Sequence, residues 1–208
     1  MLALIQMVVA VEMLLLPLWV GAVFVRPPES AAVRLARLPA AGVVVAILLI
    51  GLAAFADPPR VGEVLQTQSL ALGFAVLLAG VAAAADRAVG PRAAQGLTVL
   101  VGWLVLGGVV LAGPLTELLH DPTRAVLIRG VVHANPLVVA ERSLGMDWLH
   151  QELTYRLTPI GESFGYLLRD VAWWKTLLAH TFVGSGLLVF CLPRSRQKSQ
   201  PSPERHVK

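Results

Sequence analysis

The sequence predicts an all-α integral membrane fold with five transmembrane helices. Three observations lead there. Five apolar stretches approach the roughly 20 residues that a helix needs to cross a hydrocarbon core about 30 Å thick. Charged residues make up only 14% of the 208, against about 25% in soluble domains, and 56% are hydrophobic. Lys and Arg gather in alternate connections between the stretches. Backbone groups in lipid must pair within their own segment, so the spans are helices. Mean hydropathy is +0.72.

The first span is expected at about 2–25. No Lys or Arg precedes it, its apolar run is long, and no clean small-x-small site follows, so the segment reads as a retained helix rather than a signal peptide. Glu12 lies inside it, and Pro17 predicts a kink. Connection 26–38 then opens with Pro27-Pro28, a turn signal, and a short helix can start at Ser30. On that helix Arg34 and Arg37 share one face, while Leu35 and Leu38 share another. Such a segment either docks a cytoplasmic partner or serves as an interfacial connector with snorkelling arginines.

Spans two and three are expected at about 39–56 and 69–85. Both are short, with some 17–18 apolar residues, so they should thin the bilayer or sit among neighbours. The fourth is expected at about 93–113 and the fifth at about 171–192. Small residues are frequent: Gly73, Ala75, Ala79, Gly80 and Ala84 in the third; Gly102, Gly107 and Gly108 in the fourth; Gly184 and Gly186 in the fifth. Lipid tails are as apolar as Leu, so membrane helices associate by close packing, which small residues permit. The same faces can pack against another membrane subunit.

Orientation follows from the charges. Connection 26–38 carries Arg26, Arg34 and Arg37, connection 86–92 carries Arg87 and Arg92, and the tail carries Arg194, Arg196, Lys198, Arg205 and Lys208. The positive-inside rule puts these in the cytoplasm, with the N-terminus outside and the C-terminus inside. The whole of 1–192 then forms one helical transmembrane domain in the inner (plasma) membrane, and 193–208 a disordered basic cytoplasmic tail. The formal net charge of +4 is mainly a topology signal, with no nucleic-acid footprint. Arg over Lys, with much Ala, Gly and Val, suggests a GC-rich bacterial genome.

The outer connection, 114–170, is too long and too patterned for an ordinary loop. Asp121-Pro122 opens a run that should stop at Gly130. Asn135-Pro136 opens another that should stop at Gly145. A capping acceptor, a Pro in the first turn and a terminal Gly are helix punctuation. A third short helix is expected from Asp147, with Leu149, Leu153 and Leu157 at helical spacing, Glu152 four residues before Arg156, and Thr158-Pro159 as its end. Trp148, Tyr155, Trp173 and Trp174 suit a membrane–water boundary. Three short helices lying on, or dipping into, the outer interface are therefore expected to cap the bundle. The plainer alternative is an ordered loop packed there.

Little chemistry is legible. Glu12 is a candidate intramembrane polar site: a carboxyl on an ion or proton path, or one paired to a neighbouring helix near the interface. His180, about two turns into the fifth span, is the other candidate. A b-type haem needs two facing axial ligands, and of five His only His180 is well placed, so no cofactor is expected. His120, His133 and His150 lack close ligand spacing, so no metal site is expected either. Ser163, in Gly161-Glu162-Ser163-Phe164-Gly165, lacks the strand–turn–helix setting of a nucleophile elbow. No phosphate-binding Gly loop is present. The lone Cys191 excludes an internal disulfide. Nothing here points to an enzyme.

One stretch resembles a known family. LIQMVVAVEMLLLPLWVGAVFVRPPESAAVRLARLPAAGVVVAILL, from Pro17 through Arg26, Glu29 and Leu38-Pro39, looks like part of ABC-2-type ABC exporter permeases, which pair two permeases with two separate ATPases. In that family a Pro-containing span enters the cytoplasm, a short Glu/Arg-bearing coupling helix follows, and short helices lie outside just before the last span. Residues 115–170 fit the latter, and Asn135-Pro136 resembles a dipeptide often found there. The chain departs from the family in lacking its first span, the preceding cytoplasmic helix and the acidic-basic coupling motif with Gly-Thr. The resemblance implies a permease-like, non-catalytic subunit of an export system. Its partners would be a cytosolic ATPase, docked at Glu29, Arg34 and Arg37, other membrane subunits and membrane lipid. The alternatives are a structural or assembly subunit of a larger membrane complex, with no transport path, or a redox or ion-translocating subunit using Glu12 and His180.

Overall fold

The computed structural model describes residues 2–24, 46–51, 61–145 and 172–191, and all regular structure among them is helical. Helix α1 is Leu2–Phe24, α2 Val61–Val89, α3 Pro91–Glu117, α4 Asp121–Ala134, α5 Pro136–Ser143 and α6 Trp173–Cys191. Residues 46–51 are also helical, and Leu49 there is fully buried in the core. Four helices, α1, α2, α3 and α6, are long and apolar enough to cross a membrane. The rest of the expected second span, the connection 26–38, the third outer helix and the tail lie outside the described residues.

Two spans are longer than their apolar runs. α2 takes in Glu63, Gln66, Gln68, Asp86 and Arg87, and at 29 residues is about 43 Å long. Of the two alternatives expected for 69–85, its place is among neighbours: it is the most buried of the four long apolar helices. The helix extends beyond the apolar run through Glu63, Leu65, Gln66, Gln68 and Arg87, all good helix formers, and no Pro falls between Val61 and Val89. At its end Gly90 takes φ 82°, which only glycine adopts without strain, and Pro91 opens α3 at once.

Contacts fix the directions. Gly21, late in α1, lies against Gln95 and Val99, early in α3. Gly73 meets Leu177 and Thr181, Gly80 meets Gly184 and Leu187, and Arg87 donates to the Phe190 carbonyl at 3.3 Å. So α1, α2 and α6 run parallel, and α3 runs against them. We call the end where α1, α2 and α6 begin the upper end. Arg87 and Arg92 mark the lower end.

The α2–α6 pair has the most extensive contact of any two helices. Its centre is glycine: a Cβ at Gly80 would lie 2.5 Å from the Gly184 carbonyl oxygen, and one at Gly184 would lie 2.6 Å from Leu77 Cα. The two backbones touch there, the close approach that small residues allow in lipid. At the α1–α3 crossing, Gly102 accepts the Pro17 ring, to which a Cβ would come within 2.5 Å. Pro17 has no N–H for the Met13 carbonyl, and the Trp103 indole donates to the next carbonyl, Leu14 O, at 3.2 Å. The helix runs on through Pro17 to Phe24.

The core holds Ile5, Val9 and Met13 of α1 with Leu70, Phe74 and Leu78 of α2. The outside is just as apolar: Leu14, Leu18, Leu100, Leu104, Phe182 and Phe190 are all exposed. A bundle apolar both within and around its rim is built for a hydrocarbon surround. Two buried hydroxyls in the spans turn onto their own backbone, Thr67 to Val64 O and Thr98 to Ala94 O, each at 2.8 Å.

Candidate functional site

The polar residues of the described chain concentrate where the α4–α5 hairpin enters the bundle. α3 ends at the upper end, and α4 turns back down beside it, packing Ile128 and Val132 on Val109 and Ala112. Arg124 ties the start of this descent, donating from Nε to Thr116 O at 2.7 Å. Asp121 sits in the first turn rather than at the cap: His120 is the N-cap and makes no side-chain bond, while Asp121 pairs with Arg124 at 3.7 Å. α4 also passes through Gly130 to Ala134, beyond the expected stop. An interior Gly costs only about 1 kcal/mol, and burial of Val132 beyond it offsets that.

At Asn135 the chain reverses. Its side chain caps α5 as expected, Oδ1 accepting from Leu137 N at 3.0 Å and Val138 N at 3.2 Å. Its Nδ2 meanwhile donates to Leu106 O at 2.6 Å. Leu106 lies eleven positions before the end of α3, about 16 Å down the helix axis. The hairpin tip therefore sits deep within the bundle, and all the polar atoms of this buried amide are used. Gly108, two residues on, lies beside Val131 of α4. α5 then climbs for two turns and ends at Leu144-Gly145, where Gly145 has φ 78°. Its residues from Pro136 to Glu141 are all buried, enclosed by α1, α2, α4 and α6.

Helix α6 closes the other side. Thr176 Oγ1 donates to His133 O at 2.8 Å, and His180 Nε2 to Ala134 O at 3.0 Å. A carbonyl only accepts, so the proton of a neutral His180 is on Nε2. Nδ1 is then a bare acceptor, buried with no hydrogen-bond partner among the described residues. The Phe74 ring lies 5.6 Å from the imidazole. His180 thus pins the last carbonyls of α4.

Glu141 is the residue that sequence reasoning missed. Its side chain is buried, and neither carboxylate oxygen has a hydrogen-bond partner among the described residues. Burial without a partner disfavours the charged form and pushes the carboxyl up to about 7. Glu12 has a different environment: Gln68 Nε2 of α2 donates to its Oε2 at 2.7 Å, pairing α1 with α2. Glu12 and His180 therefore serve different helix contacts. Glu29, Arg34 and Arg37 lie outside the described residues. Among the described residues no group of three or more His, Cys, Asp or Glu could hold a metal ion.

A groove of about 440 Å³ opens beside this site, between α2, α3, α4 and α6. Comparison with protein-family models, curated proteins and solved structures returns no match to this chain.

Proposed function

We propose that the protein is a non-catalytic, permease-like membrane subunit of an ABC-type export system. The observation that carries this reading is the hairpin: two short helices, formed just before the last span, that enter the bundle from its upper end and reach Leu106. Short helices in that place are an element of the exporter permeases that the N-terminal third resembles. In a subunit of this kind they would close the outer side, with Asn135 and His180 holding them shut from α3 and α6.

Five spans belong to the same proposal. The ends of α1 and α2 that residues 25–60 join lie at opposite ends of the bundle, and Leu49 packs in its core. A crossing near 39–56 accounts for both. Arg87 and Arg92 at the lower end, with Arg26 and the basic tail after α1 and α6, favour a cytoplasmic lower end in an inner membrane and an N-terminus outside. Residues Glu29, Arg34 and Arg37 would then face an ATPase.

The test is affinity purification of the C-terminally tagged chain in mild detergent, with co-purifying chains identified by mass spectrometry. A stoichiometric cytosolic ATPase that is lost from the Arg34→Glu, Arg37→Glu double variant is the expected result. Membrane partners without any ATPase would overturn the reading in favour of a structural or assembly subunit.

A further inference from the structure

We propose that the groove between α4 and α6 is a binding site for one anionic phospholipid of the surrounding membrane. The inference is independent of the export reading. It rests on the groove's shape, the distribution of its polarity and the charge at its mouth.

The shape comes from small residues. Gly130 and Ala134 of α4 face Ala179 of α6 across the groove. A Cβ at Gly130 would meet nothing within 4 Å, so space stands open over it. Along α6 the groove runs from Lys175 to Val183, eight residues or about 12 Å. That length and the volume of about 440 Å³ suit part of an acyl chain rather than a folded partner.

The polarity is graded. The lower part is walled by Leu77, Val105 and Val183, from three helices, and Phe182 and Leu178 stand exposed nearby. The upper part carries Lys175 and His133, which lie level with each other because Thr176 bonds the His133 carbonyl. Lys175 Nζ sits 5.6 Å from the Trp174 ring centroid, an indole and ammonium pair suited to the headgroup level. One turn above His133 on the same helix face is Arg129, exposed and bonded through its carbonyl to His133 Nδ1 at 2.8 Å. Among the described residues neither Lys175 nor Arg129 pairs with a carboxylate.

An apolar slot with Lys175 and Arg129 at its mouth, neither paired with a carboxylate among the described residues, matches one ligand chemistry: a hydrocarbon tail with an anionic head. Zwitterionic lipids offer the tail with a compensating ammonium. Free phosphate offers the charge alone. Basic sites between membrane helices are a recurrent form of anionic-lipid recognition.

The experiment uses the full chain in mild detergent, with native mass spectrometry after addition of phosphatidylglycerol or phosphatidylcholine of equal chain length. We expect one phosphatidylglycerol retained about tenfold more than phosphatidylcholine, with no competition from millimolar inorganic phosphate. Lys175→Gln, at an exposed position, should remove most of the headgroup preference. Ala179→Phe should fill the slot and lower retention of both lipids, while circular dichroism checks that each variant stays helical. If Ala179→Phe does not fold, brominated-chain phosphatidylglycerol should still quench the tryptophan fluorescence of the unmodified chain more than brominated phosphatidylcholine, and Trp174→Phe should remove most of that difference. Equal retention of the two lipids, or an unchanged preference in Lys175→Gln, would overturn the proposal. Displacement by inorganic phosphate would overturn it too, in favour of a simple anion site.

Discussion

At the scale of single residues, Glu141 makes the sharpest demand. An isolated buried carboxylate is costly, so the folded chain holds this group protonated up to about pH 7. The unfolded carboxyl releases its proton near 4.5. Between these values the folded state binds more protons than the unfolded one, so stability falls as pH rises. The chain should melt at a higher temperature at pH 5 than at pH 8 in detergent. Glu141→Gln should flatten that dependence and raise the melting temperature at pH 8; the effect is at most roughly 3 kcal/mol. A profile unchanged by the substitution would show that Glu141 is solvated. Asn135 makes the opposite case, a buried amide whose oxygen and nitrogen both have partners. Asn135→Ala should cost about 2–3 kcal/mol in a denaturation series, through lost cap bonds and an orphaned Leu106 tie.

These two residues also mark how far the chain could be read unaided. Asn135-Pro136 announces its cap through local chemistry, and the helix starts where expected. Glu141 gives no such notice. In Pro136–Ser143 an acid beside Arg142 reads as the wet face of an interfacial helix. Its burial depends on α1, α2 and α6 enclosing α5 on all sides, a relation among distant segments. Asp121 does not take its expected cap role: α4 starts one residue earlier, with His120 at the cap and Asp121 in the first turn.

At the scale of elements, glycine spacing was legible but glycine use was not. The stretches around Gly80 and Gly184 announced close packing, yet only the assembled bundle shows these two meeting backbone to backbone while Gly186 meets nothing. That contrast is testable within one helix. Gly184→Ala should destabilise by about 1–3 kcal/mol, because the new methyl meets Val76 and Leu77 backbone that cannot move aside. Gly186→Ala should be neutral or stabilising by up to about 1 kcal/mol, since the methyl has room and Ala favours the helix. Thermal unfolding of the two variants in the same detergent decides it; equal losses would show that α2 and α6 are not in contact at Gly184.

At the scale of the whole molecule, the bundle has different joints at its two ends. Below, α2 and α3 join through a single residue, Gly90, and Arg87 ties α2 to α6. Above, apart from apolar packing, the parts between α3 and α6 meet through hydrogen bonds from one side chain to one carbonyl: Arg124 to Thr116, Asn135 to Leu106, Thr176 to His133 and His180 to Ala134. Amide exchange should follow this division. The middles of α2 and α6 should exchange slowest, and α4 and α5 should open at lower free energy. Uniform protection across all helices would contradict it.

The all-helical fold and its membrane character follow from composition and apolar run length, which act locally along the chain. The insertion of the hairpin does not, because it depends on a carbonyl at Leu106 that no local pattern marks and on Val109 and Ala112, which receive Ile128 and Val132. That insertion has a mechanical consequence. The helix pair, packed on α3 through Ile128 and Val132 and tied to its neighbours through single carbonyls, fills the middle of the bundle as a plug fills a socket. Withdrawing it would leave a vacant shaft lined by α1, α2, α3 and α6, open at the top and stoppered lower down where Gly102 receives the Pro17 ring.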